Sequence, residues 1–164
     1  MSKSLEEQIE ELSKELEELK FKLDKEKSNN CKRWKAGYGE TYYYICSDGS
    51  IYHNTERNGE FSTSNYDLGN YFQTKGEAKK TFEKIKIYTQ LKDLALRLNK
   101  GEKIDWTNNN QAKYYIYYNR GTMKLDYNND WSYQRIGQIY CLDIYFLDIA
   151  EQEIGEENLK KLFE

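Results

Sequence analysis

The chain has 164 residues and a formal net charge of −3, with 38% hydrophobic and 32% charged residues. Tyrosine is abundant: 16 Tyr, together with 6 Phe and 3 Trp, can supply the apolar surface that aliphatic side chains usually bury. The sequence has no long apolar run and begins with Ser, Lys and Glu after Met1. These features argue against a membrane-spanning segment and a secretion signal, so we expect a cytoplasmic protein.

The distribution of charge argues against duplex DNA as a partner. Residues 1–27 contain six Lys and nine Asp or Glu, and the rest of the chain contains 19 basic and 19 acidic residues. A protein that neutralises DNA phosphates normally has a basic face or a domain pI above about 9. Here the pI is near 5.4.

Residues 1–27 have the pattern of a coiled coil. Ser4 and Glu7 predict a capping box at the start of a helix. The apolar residues then fall at the a and d positions of a heptad repeat, at Leu5, Ile9, Leu12, Leu16, Leu19 and Leu23. Because a and d side chains form the seam between helices, we expect this segment to join copies of the chain into a homo-oligomer. The alternative is that the stripe packs on the chain's own domain, since it covers fewer than three heptads.

A polar linker, residues 28–33, leads to a domain that we interpret as internally repeated. An offset of 72 residues aligns Trp34 with Trp106, the tyrosine pair at 42–43 with the pair at 114–115, and Gly49 with Gly121. We therefore interpret residues 34–164 as one tyrosine-rich α+β domain with an antiparallel sheet, made of two β-β-β-α repeats at about 34–100 and 101–164.

Each repeat begins with a predicted β-hairpin. The first turns at Asp48-Gly49 and the second at Arg120-Gly121, and Asp-Gly is a common dipeptide in two-residue type I′ turns. A third strand is predicted near 68–72 in the first repeat and near 136–140 in the second.

A helix is predicted to close each repeat. In the first repeat, Thr74 and Glu77 form a capping box for a helix that ends near Leu98. In the second, a helix from about Asp143 to Ile154 is stopped by Gly155.

Two-residue hairpin loops would define which residues share a face of the sheet. The pairs predicted on the face that meets the helices are Tyr44 with His53, Cys46 with Ile51, Ile116 with Leu125, and Tyr118 with Met123. The opposite face would then carry Tyr43, Ile45, Tyr52, Tyr115, Tyr117 and Lys124. An aromatic outer face is unexpected, because the second face of such a sheet is ordinarily polar.

The outer face is our candidate ligand-binding surface. The residues assigned to it are Tyr43, Tyr52, Tyr115, Tyr117 and Lys124, with Trp34 and Trp106 as gates. Aromatic rings can stack on nucleobases for about 1–3 kcal/mol per base. The structural alternative is that these rings are buried between the two repeats.

The sequence offers no constellation for catalysis, metal binding or a cofactor. His53 is the single histidine, and Cys31, Cys46 and Cys141 lack the spacing of a zinc site. Glycine-rich phosphate loops are also absent from the sequence. We therefore expect a non-enzymatic binding protein without metal or cofactor.

The sequence resembles small uncharacterised proteins of phages and prophages of low-GC Gram-positive bacteria. The segments that carry the resemblance are GETYYYI at 39–45, SDG at 47–49, GNYFQT at 69–74, KIKIYT at 84–89, DW at 105–106, KYYI at 113–116 and IGEENLKK at 154–161. Small phage accessory proteins often counter bacterial immunity. They bind a defence protein, or they sequester nucleotide signals in the pockets of an oligomer.

The resemblance implies an anti-defence protein that acts in the host cytoplasm. We expect an oligomer that sequesters a cyclic or modified nucleotide used as an immune signal. One alternative is an adaptor, like an anti-CRISPR, that inhibits a host defence protein by direct binding. Another is a structural component of the virion or of its assembly.

Overall fold

The computed structural model describes residues 9, 12–20 and 33–164. In this part of the chain the fold is mixed α+β, with two separate two-stranded antiparallel sheets. The elements are β1 (Thr41–Ile45), β2 (Ile51–Thr55), α1 (Glu60–Asp67), α2 (Lys75–Leu98), β3 (Lys113–Asn119), β4 (Lys124–Asp130), α3 (Phe146–Glu153), α4 (Glu156–Lys160) and a final 3-10 turn (Lys161–Phe163). None of the described helices is long and apolar enough to cross a bilayer.

The N-terminal segment is helical at residues 12–20. Four of the predicted seam residues are described, and all are exposed: Ile9, Leu12, Leu16 and Leu19. Leu5 and Leu23, the capping box at Ser4, and residues 28–32 of the linker lie outside the described residues. Association of chains through this stripe therefore stays a prediction.

Helix α2 is the central element, and it begins at the predicted capping box. The Glu77 amide donates to Thr74 Oγ1 at 3.1 Å, and the Thr74 amide donates to Glu77 Oε2 at 3.1 Å. The helix then runs 24 residues to Leu98. The predicted bounds of this helix are therefore confirmed.

The main core lies between α2, the β3–β4 hairpin and the C-terminal helices. It contains Ile87, Leu91, Leu94, Ala95, Ile116, Leu125, Ile139, Cys141, Phe146, Leu147, Ala150 and Leu159. Ile116 pairs with Tyr127, and Tyr118 with Leu125, so the predicted pairing is wrong by two residues. A slip of two keeps each side chain on its predicted face, and Ile116 and Leu125 do face the helices.

The β1–β2 hairpin has a three-residue loop at 47–49, and the predicted pairing is wrong by one residue. Tyr43 pairs with His53 and Tyr44 pairs with Tyr52. Because side chains alternate along a strand, a slip of one residue exchanges the two faces. Tyr43 and Tyr52 consequently lie on opposite faces, and His53 is exposed and not in a core.

Gly49 explains the longer loop. Its φ is +81°, and its amide donates to the Cys46 carbonyl at 2.9 Å while the Cys46 amide donates to Ser50 O at 2.8 Å. The turn lies on helix α2, where a Cβ at Gly49 would overlap the Phe82 ring. Glycine is therefore required both for the backbone conformation and for the close approach to α2.

Neither predicted third strand forms. The first is reduced to a single antiparallel bridge between Tyr43 and Phe72, and the second to a bridge between Tyr114 and Cys141. Helix α1, which the sequence analysis did not predict, occupies Glu60–Asp67. The described residues therefore do not form two β-β-β-α units, although each hairpin is followed by one bridged segment and a helix.

A second, smaller core lies under the β1–β2 hairpin. Its buried members are Ala36, Tyr42 and Tyr71, and the partly buried rings that pack on it are Trp34, Tyr44 and Tyr66. The Tyr42 and Tyr71 rings stack with their centroids 4.1 Å apart. This core is built mainly from aromatic rings, whereas the buried members of the main core are mainly aliphatic.

Candidate ligand-binding cleft

The predicted aromatic face is not one surface in the structure. Tyr115, Tyr117 and Lys124 do share a face of the β3–β4 hairpin. Tyr43 and Tyr52 belong to the other sheet, on its two opposite faces. The five residues therefore cannot contact one ligand together in a single chain.

Tyr115 is a packing residue. Its side chain is 3% exposed, with the Arg135 guanidinium 4.8 Å from its ring centroid and the Tyr140 ring at 5.6 Å. The neighbouring Tyr117 is partly buried, and its hydroxyl donates to Asp126 Oδ2 at 3.0 Å, which raises the pKa of Tyr117. On this face Lys124 is exposed to solvent.

The two tryptophans occupy similar surroundings. Trp34 packs on Tyr71 with ring centroids 5.8 Å apart, and Trp106 packs edge-on against Tyr140 at 4.9 Å. A cleft beside the C-terminal half of α2 is lined by Trp106 but not by Trp34. Trp106 is therefore the one predicted site residue that the structure places in this cleft.

The cleft lies between the C-terminal half of α2, the loop that follows this helix, and the segment at 134–140. Its volume is about 550 Å³, within the range of small-molecule sites. Three aromatic side chains line it, Tyr88, Trp106 and Tyr140. Its polar lining includes Lys92, Asn99, Glu102, Lys103, Gln134 and Gln138.

The loop that closes one side of the cleft is held in place by hydrogen bonds. After α2 the chain reverses at Lys100 and Gly101, whose φ angles are +50° and +83°. The Gln111 side chain makes two hydrogen bonds to this loop. Its Nε2 donates to Glu102 Oε1 at 3.1 Å, and its Oε1 accepts from the Asp105 amide at 2.8 Å. Gln111 therefore joins two points of the loop, at Glu102 and Asp105.

A buried lysine supports the Trp106 wall. Lys113 is fully buried, and its Nζ donates to the carbonyl oxygens of Asn108, Gln111 and Trp131 at 2.7 to 2.9 Å. The same Nζ lies 5.4 Å from the centroid of the Trp106 ring. Lys113 therefore fixes the chain on both sides of the hairpin and one face of the tryptophan.

Tyr140 is fixed by its hydroxyl. The hydroxyl oxygen accepts from the Arg135 amide at 3.1 Å, and the hydroxyl donates to Asp130 Oδ2 at 3.2 Å. Burial raises the pKa of Tyr140, and Asp130 raises it further, against the opposing effect of the Arg135 amide. Tyr140 thus stays a neutral aromatic wall at physiological pH.

The charged groups at the cleft favour an anionic ligand. Lys92 and Lys103 are exposed cations. The Glu102 carboxylate also lines the cleft, and one of its oxygens accepts the hydrogen bond from Gln111. Two lysines and three aromatic side chains around one cavity suit a flat ligand that carries a phosphate.

The residues considered for nucleophilic or metal chemistry lie apart from the cleft or inside the core. His53 is exposed, with its ring 6.2 Å from that of Tyr43. Burial raises the pKa of the Cys141 thiol, Cys46 is partly buried, and Cys31 lies outside the described residues. Among the residues that the structure describes, no group of three His, Cys, Asp or Glu could hold a metal ion.

Sequence reasoning missed most of the cleft. Tyr88, Lys92 and Asn99 recur at helical spacing on α2, a pattern visible in the sequence, but Lys103 and Gln138 come from separate loops. Comparison of the chain with protein-family models, curated proteins and solved structures finds no match.

Proposed function

We propose that the chain is a non-enzymatic binding protein that holds a nucleotide-like ligand in this cleft. The observation that carries the proposal is the combination of three aromatic side chains and two lysines around a cavity of about 550 Å³. Stacking of a base on an aromatic side chain contributes about 1–3 kcal/mol. The lysines offer ammonium groups to the phosphate.

The lining of the cleft favours binding over turnover. Its polar groups are mainly amides and ammonium groups, which orient a ligand and neutralise its charge. The loop at 102–105 is already tied down by Gln111, so little conformational entropy is lost when a ligand binds. A protein of this kind sequesters its ligand.

We propose in addition that the N-terminal stripe joins several chains, each with its own cleft. Ile9, Leu12, Leu16 and Leu19 are 53–64% exposed, and apolar residues at a and d positions associate with like helices. Light scattering tests this: we expect the Leu12→Asp, Leu16→Asp double variant to have a lower mass than the parent chain. Equal masses would contradict the proposal.

We further propose that the two hairpin units descend from a duplication. Trp34 packs on Tyr71 and Trp106 packs on Tyr140, and each tyrosine directly precedes a residue that forms an isolated β-bridge.

The resemblance to phage accessory proteins extends the binding proposal to a biological role. In that role, the oligomer sequesters a cyclic or modified nucleotide immune signal in the host cytoplasm and so protects the phage.

Calorimetry with a panel of cyclic and linear nucleotides tests the binding proposal. We expect at least one member to bind the full-length protein, and we expect Trp106→Ala to weaken that binding by about 1–3 kcal/mol. Trp34→Ala is the matched control, because Trp34 also packs on a tyrosine but does not line the cleft. Absence of binding across the panel, or equal losses in both variants, would overturn the proposal.

A second candidate is an adaptor that binds a host defence protein. It is favoured by the exposed rings of Tyr52 and Phe61, which are 51% and 52% exposed and flank Tyr44 at centroid distances of 6.3 and 5.2 Å. Tyrosine and phenylalanine are enriched at protein interfaces. If this function holds, Phe61→Ala weakens capture of the host protein and leaves nucleotide binding unchanged.

A further inference from the structure

Asn99 occupies a buried position at the junction of α2 and the cleft. It is 8% exposed, caps the C-terminus of α2 and lines the cleft. Its Oδ1 accepts from the Leu142 amide at 2.8 Å and from the Cys141 thiol at 3.3 Å. A backbone N–H can donate to the amide oxygen but not to the amide nitrogen. The bond from Leu142 therefore identifies the positions of Oδ1 and Nδ2 in the Asn99 side chain.

The other end of this amide is an unused donor. Within residues 33–164 the Nδ2 group of Asn99 makes no hydrogen bond. This group is accessible to solvent. A side-chain amide N–H that is open to solvent and makes no protein hydrogen bond is available to donate to a ligand. A ligand acceptor in the cleft would satisfy it.

Gln138 provides the complementary group. Its Nε2 donates to the Ile116 carbonyl at 3.0 Å, which leaves Oε1 as a free acceptor on a residue that lines the same cleft. Asn99 and Gln138 thus offer the cleft one oriented amide donor and one oriented amide acceptor. Gln138 is oriented by its hydrogen bond to the Ile116 carbonyl in β3. Asn99 is oriented by the Leu142 amide, in the segment that bridges to β3.

We infer that Asn99 and Gln138 read the hydrogen-bonding edge of a purine nucleobase, with Asn99 donating to a ring nitrogen or a carbonyl oxygen and Gln138 accepting from a ring or amino donor. This inference rests on the proposed function. It adds that the ligand is selected by the edge of its base as well as by stacking and phosphate charge. A site built to hydrogen-bond one group rejects an analogue that lacks it, because the buried partner is left unpaired.

The first test changes the ligand and leaves the protein intact. The probes are AMP and GMP, their edge-methylated forms (N6,N6-dimethyl-AMP and N1-methyl-GMP), and their 7-deaza forms. We expect that methylating the Watson–Crick edge or removing the Hoogsteen acceptor weakens binding of the preferred nucleotide about tenfold or more. If the parent nucleotides bind and every derivative binds equally, edge reading is overturned while the proposed function stands. If neither parent nor any member of the wider panel binds, the proposed function fails and this inference with it.

The second test changes the protein. In Asn99→Asp an oxygen still accepts from the Leu142 amide, but the free donor becomes an acceptor, so we expect a loss of about tenfold or more in affinity for the preferred nucleotide. Gln134→Glu is the matched control, since it adds the same charge to the cleft lining at an exposed position. Equal losses in the two variants would assign the effect to charge and overturn the role of Asn99. If Asn99→Asp does not fold, the ligand series decides.

Discussion

The two hairpins each place a tryptophan against a tyrosine, but they bury opposite charges beside the pair. Next to Trp34 and Tyr71 the buried group is the Glu56 carboxylate, which accepts from the Tyr71 hydroxyl at 2.6 Å. Next to Trp106 the buried group is the Lys113 ammonium. Each charge is satisfied by hydrogen bonds to uncharged groups.

The difference shows how one arrangement becomes a closed core and the other becomes a cleft. Glu56 also accepts from the Asn58 amide and the Ser62 hydroxyl at 2.6 and 2.8 Å, so it draws α1 over the first hairpin. Lys113 instead binds three backbone carbonyls on the far side of Trp106. One tryptophan is therefore packed into a small core, and the other lines a cavity.

The largest expected effect is the loss of the buried ammonium. In Lys113→Met three carbonyls lose their donor, so we expect the free energy of unfolding to fall by about 3–5 kcal/mol. Urea denaturation measures this. Lys124→Met, at an exposed position on the same face of the hairpin, is the matched control and is expected to change stability by less than about 0.5 kcal/mol. If the two variants lose similar amounts of unfolding free energy, the Lys113 side chain is not buried away from water.

A second comparison uses the glycines of the two turns. Gly49→Ala places a side chain at φ +81° and against the Phe82 ring, and we expect a loss of about 2–4 kcal/mol. Gly121→Ala meets only the Asn119 side chain, and we expect a loss below about 1 kcal/mol. Thermal unfolding of both variants checks the difference. If the two are equally tolerated, the first turn is not held against α2.

The buried carboxylate is expected to have a smaller effect than the glycine. Glu56→Gln keeps an acceptor but removes the charge that strengthens three hydrogen bonds, so we expect a loss of about 1–3 kcal/mol. Ser62→Ala removes a single donor and is expected to cost less, about 1 kcal/mol. A Glu56→Gln variant as stable as the parent would contradict the role of the charge.

The smallest effect is a dependence of stability on pH. Burial raises the pKa of Glu56, but the hydrogen bonds from Tyr71, Ser62 and Asn58 outweigh burial, and the net pKa is lowered. A group whose pKa is lower in the folded state stabilises the fold above its unfolded pKa, and this contribution is lost as the pH falls through the folded value. Glu56→Gln lacks this ionisable group. We therefore expect its free energy of unfolding to fall less between neutral and acidic pH than that of the parent chain. If the free energy of unfolding depends on pH in the same way in both proteins, the lowered pKa of Glu56 is contradicted.

Local signals predicted part of this fold. The capping box of Thr74 and Glu77 placed the start of α2, because both reciprocal hydrogen bonds lie within four residues of sequence. Gly155, at φ +92°, stops α3 as predicted. Such features depend on neighbouring residues alone, and the sequence contains all the information that they need.

Features set by tertiary packing were not predicted. A glycine at Gly49 is compatible with a two-residue or a three-residue loop, and contact of this turn with Phe82 accompanies the longer one. Helix α1 has a polar sequence with little periodicity, and buried contacts of Ser62 and Asn65 hold it in place. The cleft requires the loop after α2 to fold back on the helix. No sequence pattern at Lys103 or Gln138 indicates that return.

The sealed position of Lys113 has a consequence for ionic strength. Mobile ions screen charges in contact with water over about 8 Å at physiological salt, but they screen a buried charge much less. Lys92 and Lys103 are exposed, so their attraction for an anion weakens as salt is added. In the proposed complex, added salt would therefore weaken the attraction of the exposed lysines for a phosphate, while the field of the Lys113 ammonium, 5.4 Å from the centroid of the Trp106 ring, would be screened much less.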